Sequence, residues 1–293
     1  MKYPRIMLEF FGTVWAISED KYRQIRSILL TRNAGIKAFD EELDAAAAVK
    51  RTGGYQTVGK VAIIPIMGVI HHRAGAMEEA SGGIGAEAIG QQFDAAIADK
   101  SVNRIVLQID SPGGSVFGVP ELAEKIRKGR EVKKVIAVAD PVAASAAYWL
   151  GSQASEFYVS PSGQVGSLGV IAEHTDFSKA EEADGIKTTV IKSAEFKQEA
   201  HSSFPLSSEA ALHLQTQVNQ YHQSFLSAVA KGRGVSVAKV SVDFGQGRML
   251  MADDARSAGM VDGIASMEAV MRRLGAEISK TAAMARARAV EVS

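Results

Sequence analysis

Between about residues 86 and 160, short apolar runs alternate with stretches of helical spacing, and this alternation predicts the architecture. Arg104-Ile-Val-Leu-Gln-Ile-Asp110 and Lys134-Val-Ile-Ala-Val-Ala139 are apolar and β-branched, so both read as buried strands. Helical patterns surround them: one ends near Asp99, a second spans 119–130 and a third begins near Ala144. Glu156–Val159 reads as a further strand, followed by the glycine-rich Gly163-Gln-Val-Gly-Ser-Leu-Gly-Val170. Strand and helix in succession predict an α/β protein with a largely parallel sheet, whose ligands sit beyond the carboxyl ends of the strands.

The flanking regions are patterned differently. Residues 19–50 have helical spacing, with Ile25, Ile28 and Leu29 on one side, and Thr52-Gly-Gly-Tyr55 breaks it. Val61-Ala-Ile-Ile-Pro-Ile-Met-Gly-Val-Ile70 is too apolar for a surface helix, and Pro65 makes it an edge or bulged strand. His71–Gly85 is a Gly- and Ala-rich loop ending in Ser81-Gly-Gly83, open to two readings, a flap over a site or a plain crossover. Further on, 174–184 reads as helix, Thr188–Lys192 as strand, and Ser207–Lys231 as a long amphipathic helix. A short helix, a strand at Arg248–Met251, a helix at 252–258 and Val261-Asp-Gly-Ile264 follow, with a helical or frayed tail. The expected organisation is an N-terminal helical arm, 1–57, a main domain, 58–275, and a C-terminal tail, 276–293.

Composition narrows the function classes. The 33 basic and 33 acidic residues balance, so no global field favours nucleic acid or an anionic membrane, and local basic clusters read as solvated helix faces. No cysteine is present, which excludes disulfides, thiolate metal sites and a cysteine nucleophile. No run reaches the ~18–20 apolar residues a bilayer span needs. Ile6–Ile17 is apolar but interrupted by Glu9, which argues against a signal sequence. A soluble protein is expected, and a reducing cytoplasm fits it.

Both central strands empty into loops of chemical interest, Asp110-Ser-Pro-Gly-Gly-Ser115 and Val142-Ala-Ala-Ser-Ala-Ala-Tyr148. A serine hydroxyl attacks only when a base takes its proton, and the tetrahedral intermediate needs N–H donors aimed at its oxyanion. Gly113 and Gly114 free the backbone to present such donors, and Ser145 lies among alanines that let a polypeptide approach. A helix starting there would add free N–H groups. Alone, each segment reads equally well as a simple turn or an Ala-rich packed helix. Among His71, His72, His174, His201, His213 and His222, only His174 with Asp176 suggests a Ser-His-Asp triad. Two residues apart, those side chains diverge on either strand or helix. A lysine is the alternative base, because desolvation can lower an amine from its ordinary ~10.4 by ~3–5 units. Composition does not choose among Lys179, Lys187, Lys192 and Lys197.

From Val61 to Ile264 the sequence resembles the signal peptide peptidase A, or protease IV, family of serine–lysine peptidases. The Val61–Ile70 strand, Ile-Asp-Ser-Pro-Gly-Gly-Ser, Val-Ala-Ala-Ser, Gly-Ser-Leu-Gly-Val and Ala255-Arg-Ser-Ala-Gly-Met-Val-Asp262 carry the resemblance. It implies a ClpP/crotonase-like fold with a stacked, largely parallel sheet and flanking helices. By the same resemblance Ser145 is the nucleophile, Lys197 the base, Ser167 the orienter of the lysine, and Lys192 a structural neighbour. Gly114 and Ala146 fall on the oxyanion-hole positions, with Gly113 permitting the turn beside the substrate. Ala146-Ala147 replaces a frequent Gly-Gly, which suggests a narrower groove, and Ala194-Glu-Phe196 replaces the usual glycine near the lysine.

The arm, the flap and the single domain are similar to the branch found in tailed-phage or prophage head-assembly modules (minor capsid protein C-like). That branch implies a scaffold or capsid polypeptide as substrate, a bacterial host cytoplasm or immature head as setting, and no metal or organic cofactor. An exposed lysine stays protonated, so a homo-oligomer whose neighbours complete the walls is expected. Two alternatives stand: a non-catalytic capsid or scaffold interaction protein, and a crotonase-like acyl-CoA enzyme.

Overall fold

The computed structural model describes residues 10–33, 54–74, 82–275 and 277. The expected tail after 277, the helical reading of 34–50 and Ser81 of the flap lie outside them.

Apolar residues at alternate positions build a sheet covered on both faces. Strands β3 (Val61–Met67), β6 (Arg104–Ser111) and β8 (Lys134–Ala144) run parallel, with β6 between the others. Ile105, Leu107 and Ile109 of β6 face a core shared with Ile89 and Phe93 of α2 (Ala86–Ala98), Leu122 and Ile126 of α3 (Val119–Gly129), and Phe225 of the long helix α6 (Ser208–Arg233). Val106, between them, faces the other way, into a smaller cluster with Ile136, Val138, Val270 and Leu274. Trp149 stacks on Phe225 at 4.5 Å, joining α4 (Ala146–Gly151) to α6.

β8 changes neighbour along its length. Its first half pairs with β9 (Glu156–Val159), and its last three residues pair with β10 (Gln164–Gly166), which in turn pairs antiparallel with β11 (Met249–Met251). β2 (Gln56–Val58) covers only Val61–Ile63 of β3, so Pro65 stands where no partner on that side asks for an N–H. A second, four-stranded sheet lies at the carboxyl ends. It has the order β1-β7-β4-β5 and consists of Trp15–Ile17, Gly113–Ser115, Ile70–His71 and Ile84–Gly85. The fold is therefore mixed α/β.

Two expectations are corrected. Thr188–Lys192 forms no strand; it runs as irregular, largely exposed chain, since its alternation faces no sheet edge. The helix expected over 174–184 is confined to Ser178–Ala183, where Asp176 accepts from Ser178 N at 2.8 Å and opens it.

Asp262, ahead of β12 (Gly263–Ile264), fastens the C-terminal part to β9. Its carboxylate accepts from Phe157 N at 2.7 Å and from both Arg233 Nη atoms at 2.9 and 2.8 Å. Burial pushes this carboxyl up, but the hydrogen bonds from Arg233 and Phe157 outweigh it and hold it below the ordinary carboxylate value. A depressed folded pKa stabilises above the unfolded value of ~3.9, and that contribution fades as pH falls through the folded one. Since the carboxylate edge is partly open to solvent, Asp262→Asn is expected to cost only about 1–2 kcal/mol at neutral pH, by urea titration. The difference from wild type should shrink below about pH 4.

Candidate active site

β8 delivers Ser145 directly into α4, and the backbone at the junction is strained. Ser145 has φ 52° and ψ −115°, a conformation costly for any residue with a Cβ, and it is fully buried in the isolated chain. Its N–H donates to Gly166 O at 2.8 Å and its carbonyl accepts from Trp149 N at 2.9 Å, so both ends of the turn are fixed. The Ser145 hydroxyl donates to Gly169 O at 3.3 Å.

The neighbouring loop closes over it. Ser111 Oγ donates to Gly68 O at 2.6 Å and accepts from Gly113 N at 3.2 Å, pinning the Pro-Gly-Gly turn to the end of β3. Gly113 has φ 95°, and a Cβ there would stand 2.9 Å from Ala144 O and 3.1 Å from Ala146 N. The two loops thus pack backbone against backbone. Gly114 has no room for a side chain either: a Cβ would meet Ile70 O at 1.9 Å. Ala146 and Ala147 are fully buried, so their methyl groups face the interior. Asp110 is the penultimate residue of β6; burial raises its carboxyl, the Val142 N–H opposes that, and the Asp140 carboxylate adds to the rise.

Ser167, also with positive φ (56°), is anchored by its N–H donating to Arg248 O at 2.9 Å. It lies on the same short segment as Gly166 and Gly169, whose carbonyls hold Ser145. Lys197 stands apart from this group. It lies on an exposed 3-10 turn, Glu195–Gln198, and among the described residues its amine has no hydrogen-bond or ion-pair partner. Lys192 closes that turn by donating to Glu195 O at 2.8 Å. Ser145, Gly113, Gly114, Ala146 and Ser167 are therefore brought together within one chain, and Lys197 is not hydrogen-bonded to them. Among the described residues, the Ser145 hydroxyl bonds to Gly169 O and to no histidine. His174 contacts the His201 carbonyl at 3.5 Å, and His213 and His222 ride on α6.

The sequence reading missed two groups. Gly169 contributes only a carbonyl, which no side-chain pattern reveals. Glu173 accepts from Tyr22 Oη at 3.1 Å and from Arg26 Nε at 2.7 Å, tying the arm helix α1 (Glu19–Asn33) to the segment past Gly169.

A strained serine stands between a parallel strand and a helix in a mixed α/β protein. The chain belongs to peptidase family S49, whose model matches residues 127–280. Among similar proteins, the head-tail preconnector protein GP5 of Enterobacteria phage P21 is 32% identical over 64% of this chain and 37% of its own length. Capsid assembly protease C of Escherichia phage lambda is 30% identical over 73% and 48%, respectively. Protease 4 of Salmonella typhi is 25% identical over 91% of this chain and 39% of its own length. The chain thus spans less than half the length of these curated relatives. Among the described residues, no helix is long and apolar enough to cross a membrane.

Proposed function

We propose that this chain is a serine endopeptidase with a Ser145–Lys197 dyad, cutting scaffold or capsid polypeptides during phage head assembly. The observation that carries the reading is the strained turn at Ser145. A backbone conformation that costs about 1–3 kcal/mol persists where the surroundings enforce it, and here the strained residue carries a hydroxyl and leads into Ala146, whose N–H lies 3.1 Å from where a Gly113 Cβ would stand. In this reaction Ser145 Oγ attacks the scissile carbonyl carbon while neutral Lys197 takes its proton. The Gly114 and Ala146 N–H groups hold the oxyanion. Collapse breaks the C–N bond, Lys197 returns the proton to the leaving amine, and water activated by the same lysine hydrolyses the acyl-enzyme. Ser167 orients the lysine. The layered sheet supports a ClpP/crotonase-like fold, and the names of the two phage relatives support the setting in a host cytoplasm or immature head.

Lys197 on an exposed turn also supports a homo-oligomer. Ile191 (96% exposed) and Phe196 (54%) flank it as apolar residues open to solvent, suited to burial against a neighbouring subunit. Such a contact would desolvate the amine and bring it to a serine. Ser145→Ala and Lys197→Ala are each expected to abolish cleavage of a co-expressed scaffold protein. Mixing the two variants after dissociation and reassociation should restore part of the activity if the dyad is shared between subunits. A mixture that stays inactive refutes the sharing, and a Lys197→Ala enzyme that remains active, with Lys192→Ala inactive, refutes the assignment of the base. Activity of the wild type should rise with pH as the lysine deprotonates.

A further inference from the structure

The arm's short strand β1 is hydrogen-bonded along both edges, and both partners belong to the candidate site. On one side Val116 N donates to Val14 O at 3.2 Å and Ser18 N donates to Pro112 O at 2.7 Å. Such bonds recur at every second residue of an antiparallel ladder, so the pair between them, Ala16 opposite Gly114, is also a bonded one. On the other side Trp15 N donates to Ile171 O at 2.9 Å, and Ile171 N donates back to Trp15 O at 2.8 Å. Ile171 lies two residues past Gly169, the acceptor of the Ser145 hydroxyl. The position a Gly113 Cβ would take is 2.3 Å from Ala16 O and 3.1 Å from Ala146 N. The Ala16 carbonyl therefore points into the corner between the Gly114 and Ala146 amides, where the oxygen of a scissile carbonyl has to lie.

We propose that Trp15–Ile17 is an intramolecular occupant of the substrate slot and that the chain is latent while β1 stays in place. The proposal rests on Ser145 being the nucleophile of a peptidase. An extended polypeptide gains affinity by adding a strand to an open edge, and this slot offers two edges, both filled by the chain itself. A tethered segment acts at an effective concentration in the mM range, so a free substrate competes poorly until the arm is loosened. Part of the anchorage lies outside the slot, in Phe10, Tyr22 and Arg26. Phe10, Trp15, Ile17 and Tyr22 form an aromatic-rich cluster separate from the main core, with Phe10 stacked on Tyr22 at 4.9 Å, and Glu173 grips Tyr22 and Arg26. Of β1 and the residue before it, only the small side chains of Ala16 and Val14 reach the main core, so release of β1 gives up those two contacts together with the satellite cluster.

The chain has no cysteine, so a reversible tether tests this cleanly. Trp15 and Ser115 are opposite one another as a non-hydrogen-bonded pair, where Cα atoms stand about 4.5 Å apart, within disulfide range. The full-length Trp15→Cys/Ser115→Cys chain should cleave labelled casein at least about tenfold more slowly oxidised than reduced, with reductant restoring the rate. Equal rates in the two forms overturn the proposal. If neither form cleaves casein, the rates do not separate a closed slot from an absent peptidase, and a second measurement decides the occupancy. A synthetic peptide spanning Thr13–Ser18, at mM concentration, should speed hydrogen exchange of the chain's own backbone amides at positions 15 and 18 in the wild type and in the reduced variant, but not in the oxidised one. Unchanged exchange in the wild type means the peptide and β1 do not share a site, and the proposal falls.

Discussion

Ser145→Ala is expected to lower kcat/KM for polypeptide cleavage by about 10⁴-fold or more while the protein stays folded, since a missing nucleophile leaves only binding and oxyanion stabilisation. The side chain gives the fold little: it makes no cap bond to α4 and a single 3.3 Å bond to Gly169 O. Ser145→Gly should separate function from stability more sharply. Glycine accepts φ 52° and ψ −115° without the Cβ clash, so this equally inactive variant should be more stable than wild type by about 1 kcal/mol. Urea titration of both variants checks this. A glycine variant no more stable than the alanine variant would show that the turn is not strained.

The second large effect falls on the fold. In Gly114→Ala the new methyl meets Ile70 O at 1.9 Å and Ile70 C and N at 2.6 Å, all backbone atoms of the adjacent strand. No rotamer change relieves that contact, so β4 or β7 must shift and the small sheet loses its register. The expected cost is about 3 kcal/mol or more, by denaturant titration, together with loss of cleavage. Gly169→Ala is the control for stability, because a Cβ there has nothing within 4 Å; its effect should stay within about 0.5 kcal/mol.

The central strands were legible because their signal is a continuous β-branched run: Arg104–Ser111 and Glu156–Val159 fall where the pattern puts them. Pro65 suggested an edge or bulged strand, yet β3 is paired on both sides and unbulged; the proline is tolerated because β2 stops short of it. The serine turn was legible as a small-residue motif, but its strain was not, since φ 52° is imposed by tertiary packing. Trp15–Ile17 and Gly113–Ser115 are three-residue strands held by tertiary pairing, with each other across about a hundred residues of chain and with Ile171 and Ile70 on their outer sides. No local periodicity encodes them. Thr188–Lys192 misled in the opposite sense: its β-branched residues have propensity but no neighbour to pair with, and propensity alone does not hold a strand.

The tie between Tyr22 and Glu173 spans 151 residues of sequence, and that distance has a temporal meaning. During synthesis at about 5–20 residues per second, the arm leaves the ribosome on the order of ten seconds before its dock has been made. For that interval Phe10, Trp15, Ile17 and Tyr22 have only the arm itself to pack against, because the cover from Val69 and Ile171 comes later. The nascent chain thus completes the turn at Ser145 before its N-terminal strand has both edges to settle on.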